Sequence, residues 1–214
     1  MTHRLLIVAT ALALSACGNH PVQPAWQGNA GSALTAFSDA YLKGDTSIAD
    51  TEFARARLEL ASTGRPDKVA HGELYRCATR TASLEFDHCP GFTALAQDAT
   101  PAQQAYAAFL DGRWQGLDAK LLPEPQRALV QGKGSLATIA DPLSRLVAAG
   151  VLMQSQRITP GDIIVATDTA SSQGWRRPLL MWLGVALQRA RAGGDQAGAA
   201  RIERRIALAS GSAS

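Results

Sequence analysis

Three segments of this sequence carry a full set of helix-start signals. Thr100-Pro101-Ala102-Gln103 places an N-cap threonine before a proline, and a glutamine follows three residues after the threonine. The threonine and glutamine side chains pair with N–H groups at the helix start, and proline fits the first turn because it has no N–H to lose. Asp141-Pro142 and Thr159-Pro160, the latter with Asp162, repeat the arrangement. The sequence therefore predicts helices that begin near residues 101, 142 and 160.

Apolar residues follow each of these starts at the spacing of one helix face, and the same pattern predicts further helices. At the C-terminus they span about 175 to 192 and 196 to 209, with Gly193-Gly194-Asp195 as the break. Segments at about 32 to 43, 46 to 63 and 66 to 84 are also predicted to be helical. The alternating β-branched runs typical of strands are nearly absent. The predicted fold class is all-α, built from antiparallel helical hairpins.

The C-terminal helix starts recur in pairs. Starts near 141, 159, 175 and 195 give a period of about 34 to 36 residues, and Ala149-Gly150-Val151 aligns with Leu183-Gly184-Val185. This period resembles the tetratricopeptide family, in which helical hairpins stack into a solenoid. The family's small residue in the second helix falls at Gln196, one position before Ala197. The resemblance implies a short solenoid, and an irregular bundle is the alternative.

The N-terminus has the pattern of a bacterial lipoprotein signal. A charge-free run from Leu5 to Ala16 follows Arg4, and it is shorter than the roughly 20 apolar residues that cross a bilayer. Leu14-Ser15-Ala16-Cys17 resembles the lipobox, at which the lipoprotein signal peptidase cuts and the cysteine receives lipid. The resemblance implies that residues 1–16 are removed and that Cys17 carries acyl chains such as palmitate. An ordinary secretory signal cut after Ala16 is the alternative.

The resemblance to lipoproteins also implies a location. Gly18 stands where an aspartate would hold a lipoprotein at the inner membrane, so the expectation is the outer membrane, facing the periplasm. Residues 18 to 33 are rich in glycine, proline and asparagine, and we predict a flexible tether over 17–33. A single helical domain is predicted over 34–210, with a disordered tail at 211–214.

Two cysteines remain if Cys17 carries lipid. Cys77 and Cys89 would lie in a compartment that oxidises thiols, so we predict a disulfide between them. The alternative is a zinc site that adds His71 and His88. His71 and Cys77 are six residues apart, which places them about 120° from each other around a helix, and this argues against tetrahedral zinc. We predict neither a metal nor a cofactor.

Signals for catalysis are weak. The stretch Gly132-Lys133-Gly134-Ser135 lacks the remaining glycine of a phosphate loop and any strand before it, so we interpret it as a connection. Paired carboxylates can cleave glycans. The candidate pairs, Glu73 with Glu85 and Asp162 with Asp168, have no flanking signature, and roles in ion pairs or at helix starts are the default interpretation.

Positive charge is concentrated at the C-terminus. Residues 17–174 contain 13 Lys and Arg against 16 Asp and Glu, whereas residues 175–214 contain seven arginines against Asp195 and Glu203. Arginine suits carboxylate and phosphate partners. These residues form the possible interaction face: Arg176, Arg177, Arg189, Arg191, Arg201, Arg204 and Arg205. The alternative interpretation is an ordinary solvated helix face.

The sequence therefore favours a non-enzymatic, membrane-anchored interaction or adaptor module of the cell envelope. Its expected partners are the membrane, through Cys17, and an envelope protein, whereas nucleic acid is not expected. An envelope glycan- or lipid-processing enzyme that uses carboxylates is the alternative. The segment from Ala170 to Leu183 is also similar to parts of uncharacterised proteobacterial lipoproteins, and this similarity implies no activity.

Overall fold

A computed structural model describes residues 24–211 as a set of helices with no strand in that range. Short 3-10 turns lie at Ala96–Asp98, Ala119–Leu121 and Leu136–Thr138. The helices are α1 (Ala25–Lys43), α2 (Thr46–Ala61), α3 (Pro66–Ala82), α4 (Pro90–Thr93), α5 (Pro101–Leu110), α6 (Glu124–Val130), α7 (Pro142–Gln154), α8 (Pro160–Ser172), α9 (Arg176–Ala192) and α10 (Gln196–Ser210). The predicted all-α fold class is confirmed.

The predicted helix starts form as the capping chemistry requires. At α5 the Thr100 hydroxyl accepts from the Gln103 N–H, and the Gln103 side chain accepts from the Thr100 N–H at 2.9 Å. Asp141 accepts from the Ser144 N–H at 2.7 Å, and Thr159 and Asp162 form a capping box at α8. Local side chains therefore fix where these three helices begin.

The tether prediction is wrong over its second half. Helix α1 begins at Ala25, so residues 25–33, predicted as flexible, are helical. Ala30 and Ala33 are buried, with 3% and 0% of their surface exposed, and α1 packs closely along α2. This packing outweighs the low helix propensity of Gly28 and Gly31. Three predicted segments lie outside the described residues: the signal segment with Cys17, the rest of the predicted tether, and residues 212–214 of the tail. The first residue of the predicted tail, Gly211, ends α10 in a left-handed conformation.

Helix α3 lies at the centre of the packing and contacts α1, α2, α5 and α7. Gly150 of α7 permits the closest approach, because a β-carbon there would overlap the Thr81 carbonyl of α3. Trp182 of α9 is fully buried in the same core and donates its indole N–H to the Ala82 carbonyl at 3.2 Å. A second core lies between α1 and α2 around Phe37.

Contacts between helices far apart in sequence distinguish this fold from a simple solenoid. Helices α7 and α9 begin at Pro142 and Arg176, and α8 and α10 at Pro160 and Gln196, so the predicted period of about 34 to 36 residues is present. However, α7 packs on α3, and α1 packs on α9. These contacts are those of an irregular bundle, since the repeats of a solenoid contact only their neighbours. Within residues 24–211, no helix combines the length and apolar character needed to span a bilayer.

Candidate functional site

The structure brings the two predicted disulfide cysteines together. Cys77 lies on α3 and Cys89 just before α4, both are buried, and their Cα atoms are 5.4 Å apart, which is disulfide distance. His88 and Cys89 adopt left-handed backbone conformations with φ of 57° and 52°, which turn the chain back towards α3. Asp87 accepts from the Cys89 N–H at 3.1 Å and pairs with Arg80.

The imidazole groups of the alternative zinc site do not cluster with the cysteine sulfur atoms. His88 is exposed, and its Nδ1 lies 3.4 Å from the Asp111 carboxylate. His71 borders two cavities on the other side of α3. The ligand atoms that do cluster, within 4.8 Å of one another, belong to Cys77, Asp87 and Cys89. Because these two cysteines are at disulfide distance, the cluster offers one carboxylate rather than a set of zinc ligands.

Arg177 does not belong to the predicted interaction face. Its guanidinium donates to the Tyr41 carbonyl and the Thr46 hydroxyl, each at 2.7 Å, and lies 4.2 Å from the centre of the Tyr41 ring. It also pairs with Glu85 at 3.5 Å. The side chain is only 23% exposed. Arg177 therefore joins α9 to the α1–α2 pair, and its inclusion in a free basic face was wrong.

The other arginines occupy four different settings. The Arg176 guanidinium lies against Gly44, and Arg189 borders a cavity of about 390 Å³ beside α7. Arg191 of α9 pairs with Glu203 of α10 at 2.7 Å. The remaining three, Arg201, Arg204 and Arg205, are exposed on α10. We call these three, with the adjacent exposed side chain of Leu208, the α10 stripe.

Three of the four candidate catalytic carboxylates are held in other interactions. Glu73 accepts from Arg57 at 3.0 Å, Glu85 pairs with Arg80 at 3.3 Å, and Asp162 caps α8. Asp168 is exposed on α8. Glu73 does share a small cavity of about 130 Å³ with Asp87, and each of these two carboxylates is bound by an arginine.

Sequence reasoning missed a cavity of about 550 Å³ between α3, α5 and residues 120–127. Its walls include Leu74 and Ala78 of α3 and Tyr106 of α5, and Lys120 and Arg127 are its basic groups. Burial raises the pKa of the Tyr106 phenol, which stays protonated. The spacing of Leu74 and Ala78 marks one face of α3, but residues 120–127 carry no periodic pattern, so the opposite wall had no sequence signal. The Gly132–Ser135 stretch connects α6 to α7, outside this cavity.

No protein-family model, curated protein or solved structure matches this chain. The class that the fold defines is an all-α helical protein.

Proposed function

We propose that this chain is a non-enzymatic adaptor of the bacterial envelope, anchored to a membrane through lipid on Cys17. In this proposal the α10 stripe binds an acidic face of a partner protein. The main support for the proposal is that α10 lies apart from the core. It packs mainly on α9, and Arg201, Arg204 and Arg205 are exposed along its outer side.

The chemistry of the stripe supports a protein partner. Arginine guanidinium groups form two-pronged hydrogen bonds with carboxylates. Leu208, which is 75% exposed, adds an apolar contact to the same surface. Arginine is one of the residues enriched at protein interfaces and at their energetic hot spots. Glu203 lies on the same helix but is already paired with Arg191, so the three arginines keep a net positive charge.

The alternative enzyme proposal has less support. It needs two carboxylates with different protonation states beside one substrate. Glu73, Glu85 and Asp162 are each occupied by an arginine or by a helix cap. The carboxylates of Glu73 and Asp87 share only the small cavity of about 130 Å³.

The test is co-purification of the full chain from detergent-solubilised bacterial membranes after mild cross-linking. We expect a stoichiometric partner that is lost when Arg201, Arg204 and Arg205 are all changed to Glu, and that weakens as salt rises. Lys133→Glu, at an exposed site between α6 and α7, is the control for charge reversal alone. If the partner stays with the triple variant, or if no stoichiometric partner is found, the adaptor proposal is wrong.

Membrane attachment is tested separately. Cys17→Ala removes the thiol that would carry lipid, so the chain should appear in the soluble fraction or keep its first 16 residues. Mass spectrometry of the fractions reports both outcomes. Unchanged attachment together with unchanged processing would show that Cys17 is not the anchor.

A further inference from the structure

Two cavities meet along one side of α3. The cavity of about 550 Å³ adjoins a second one of about 380 Å³, and His71 and Gln103 line both. Gln103 is fixed at this boundary because its side chain caps α5 and also donates to the Asp67 carbonyl at 2.7 Å. Together the two cavities form an elongated space within the size range of small-molecule sites.

The first cavity combines apolar walls with positive charge. Leu74, Ala78 and Leu122 supply apolar surface, and Lys120 and Arg127 are the charged groups. No carboxylate lines this cavity among residues 24–211. Desolvation and the nearby positive charge of Lys68 lower the pKa of His71, which is therefore neutral at pH 7. The cavity is thus positive at the Lys120 and Arg127 side, and the rest of its wall is mainly apolar and carries no charge at pH 7.

Neither of these two cations has an acidic partner among residues 24–211. Arg127 donates to the carbonyls of Lys120 and Leu122 at 3.3 and 3.0 Å, which holds its guanidinium at the cavity wall. Its Nε is buried and has no hydrogen-bond partner in the described part of the chain. This Nε is closed off from the cavity, so an anion there would bind the other N–H groups of the Arg127 guanidinium and the Lys120 ammonium.

The position of the second cavity, near the start of α1, indicates where such a ligand comes from. Trp26 and Ala30, from the first turns of α1, lie in its wall, and Asp67 and Lys68 of α3 also line it. Only seven residue steps separate Cys17 from Pro24, and they span at most about 25 Å. If lipid on Cys17 holds the chain at a membrane, this end of the cavities lies close to the bilayer surface, where amphiphiles are abundant.

We propose that the two cavities bind one free single-chain anionic amphiphile taken from the membrane. Its carboxylate or phosphate head lies beside Lys120 and Arg127, and its acyl chain runs along the apolar walls past His71 towards the second cavity. This site is separate from the α10 stripe: it rests on the proposed anchor at Cys17 but not on the adaptor role.

The test uses the full chain in phosphatidylcholine vesicles with a palmitic acid analogue that carries a mid-chain diazirine. After irradiation, mass spectrometry should locate the label on α3, α5 and residues 119–127. Lys120 is exposed, so Lys120→Glu should leave the fold intact while lowering labelling about tenfold, the loss of one charge-assisted contact. Lys133→Glu, which reverses an exposed charge outside the cavity, should leave labelling unchanged.

Competition by unlabelled amphiphiles shows which head group binds, and two outcomes of the labelling would contradict the proposal. Unlabelled palmitate and lysophosphatidic acid should both compete, and the stronger competitor shows whether the head is a carboxylate or a phosphate. An alcohol probe has the same chain but no negative charge. If it labels the protein equally and Lys120→Glu has no effect, the proposal that the head group is anionic is wrong. Labelling that appears only in the Cys17→Ala chain would mean that the chain's own lipid fills the cavity, and the proposal of a free amphiphile would be wrong.

Discussion

The two ends of the C-terminal hairpin carry the same residue types in opposite settings. At the start of α9, Arg177 is bound by groups from α1 and α2 and is only 23% exposed. On α10, Arg204 is exposed to solvent. A local excess of arginine therefore does not by itself define a binding face. Contacts from residues more than a hundred positions away decide which arginines hold the fold and which are available to a partner.

The apolar residues of the hairpin show the same division. Trp182 of α9 is fully buried and hydrogen-bonded to α3, whereas Leu208 of α10 is 75% exposed. Helix α9 is therefore part of the core, and α10 is an addition to its outer side. The predictions that follow test this division.

The largest expected effect is that of Trp182→Ala. Removing the buried indole leaves a large cavity and frees the Ala82 carbonyl, so the free energy of unfolding should fall by about 3 to 5 kcal/mol. Leu208→Ala should change it by less than about 0.5 kcal/mol. Urea unfolding followed by circular dichroism measures both. Similar losses in the two variants would contradict the division between α9 and α10.

The second effect concerns the cysteines of the core. If Cys77 and Cys89 form a disulfide across their 12-residue separation, the double variant Cys77→Ala/Cys89→Ala should lose about 3 kcal/mol of stability. Mass spectrometry under non-reducing conditions should find the two peptides linked in the unmodified protein. Alkylation of both thiols without prior reduction would rule out the bridge.

The helix starts were predictable because their cause is local. The caps at Thr100, Asp141 and Thr159 are each made by side chains within three residues of the helix start. The start of α1 was not predictable in this way, since Gly28 and Gly31 favour a loop locally and packing against α2 and α3 stabilises the helix. Where the local sequence favours a loop in this way, contacts with other helices decide whether a helix forms.

The candidate sites show the same difference between features with a local cause and features that depend on the tertiary fold. Cys77 and Cys89 were predictable as a pair from their number and expected compartment. The role of Arg177 was not, because its partners Tyr41 and Thr46 lie on the first two helices. The cavity beside α3 was missed for a similar reason: Lys120 and Arg127 come from a segment without helical periodicity, and only the fold brings them to Leu74.

The third prediction compares the two arginines directly. Arg177→Ala removes hydrogen bonds to the Tyr41 carbonyl and the Thr46 hydroxyl and a ring contact, so it should cost about 1 to 3 kcal/mol of stability. Arg204→Ala should cost less than about 0.5 kcal/mol. Paired urea titrations measure the difference. Equal costs would mean that Arg177 is no more structural than the arginines of α10.

The smallest effect is expected at the ion pair between Arg191 and Glu203, which joins α9 to α10. Both side chains are well exposed, at 61% and 48%, so water and salt screen their attraction. Glu203→Gln should lower stability by less than about 0.5 kcal/mol, and 0.5 M salt should remove even that difference. Glu85→Gln is the matched change at a less exposed site, 34% exposed, where the carboxylate joins Arg80 and Arg177 and the loss should be larger. If Glu203→Gln proved the costlier of the two in urea titrations at low and high salt, α10 would be held by charge rather than by its packing on α9.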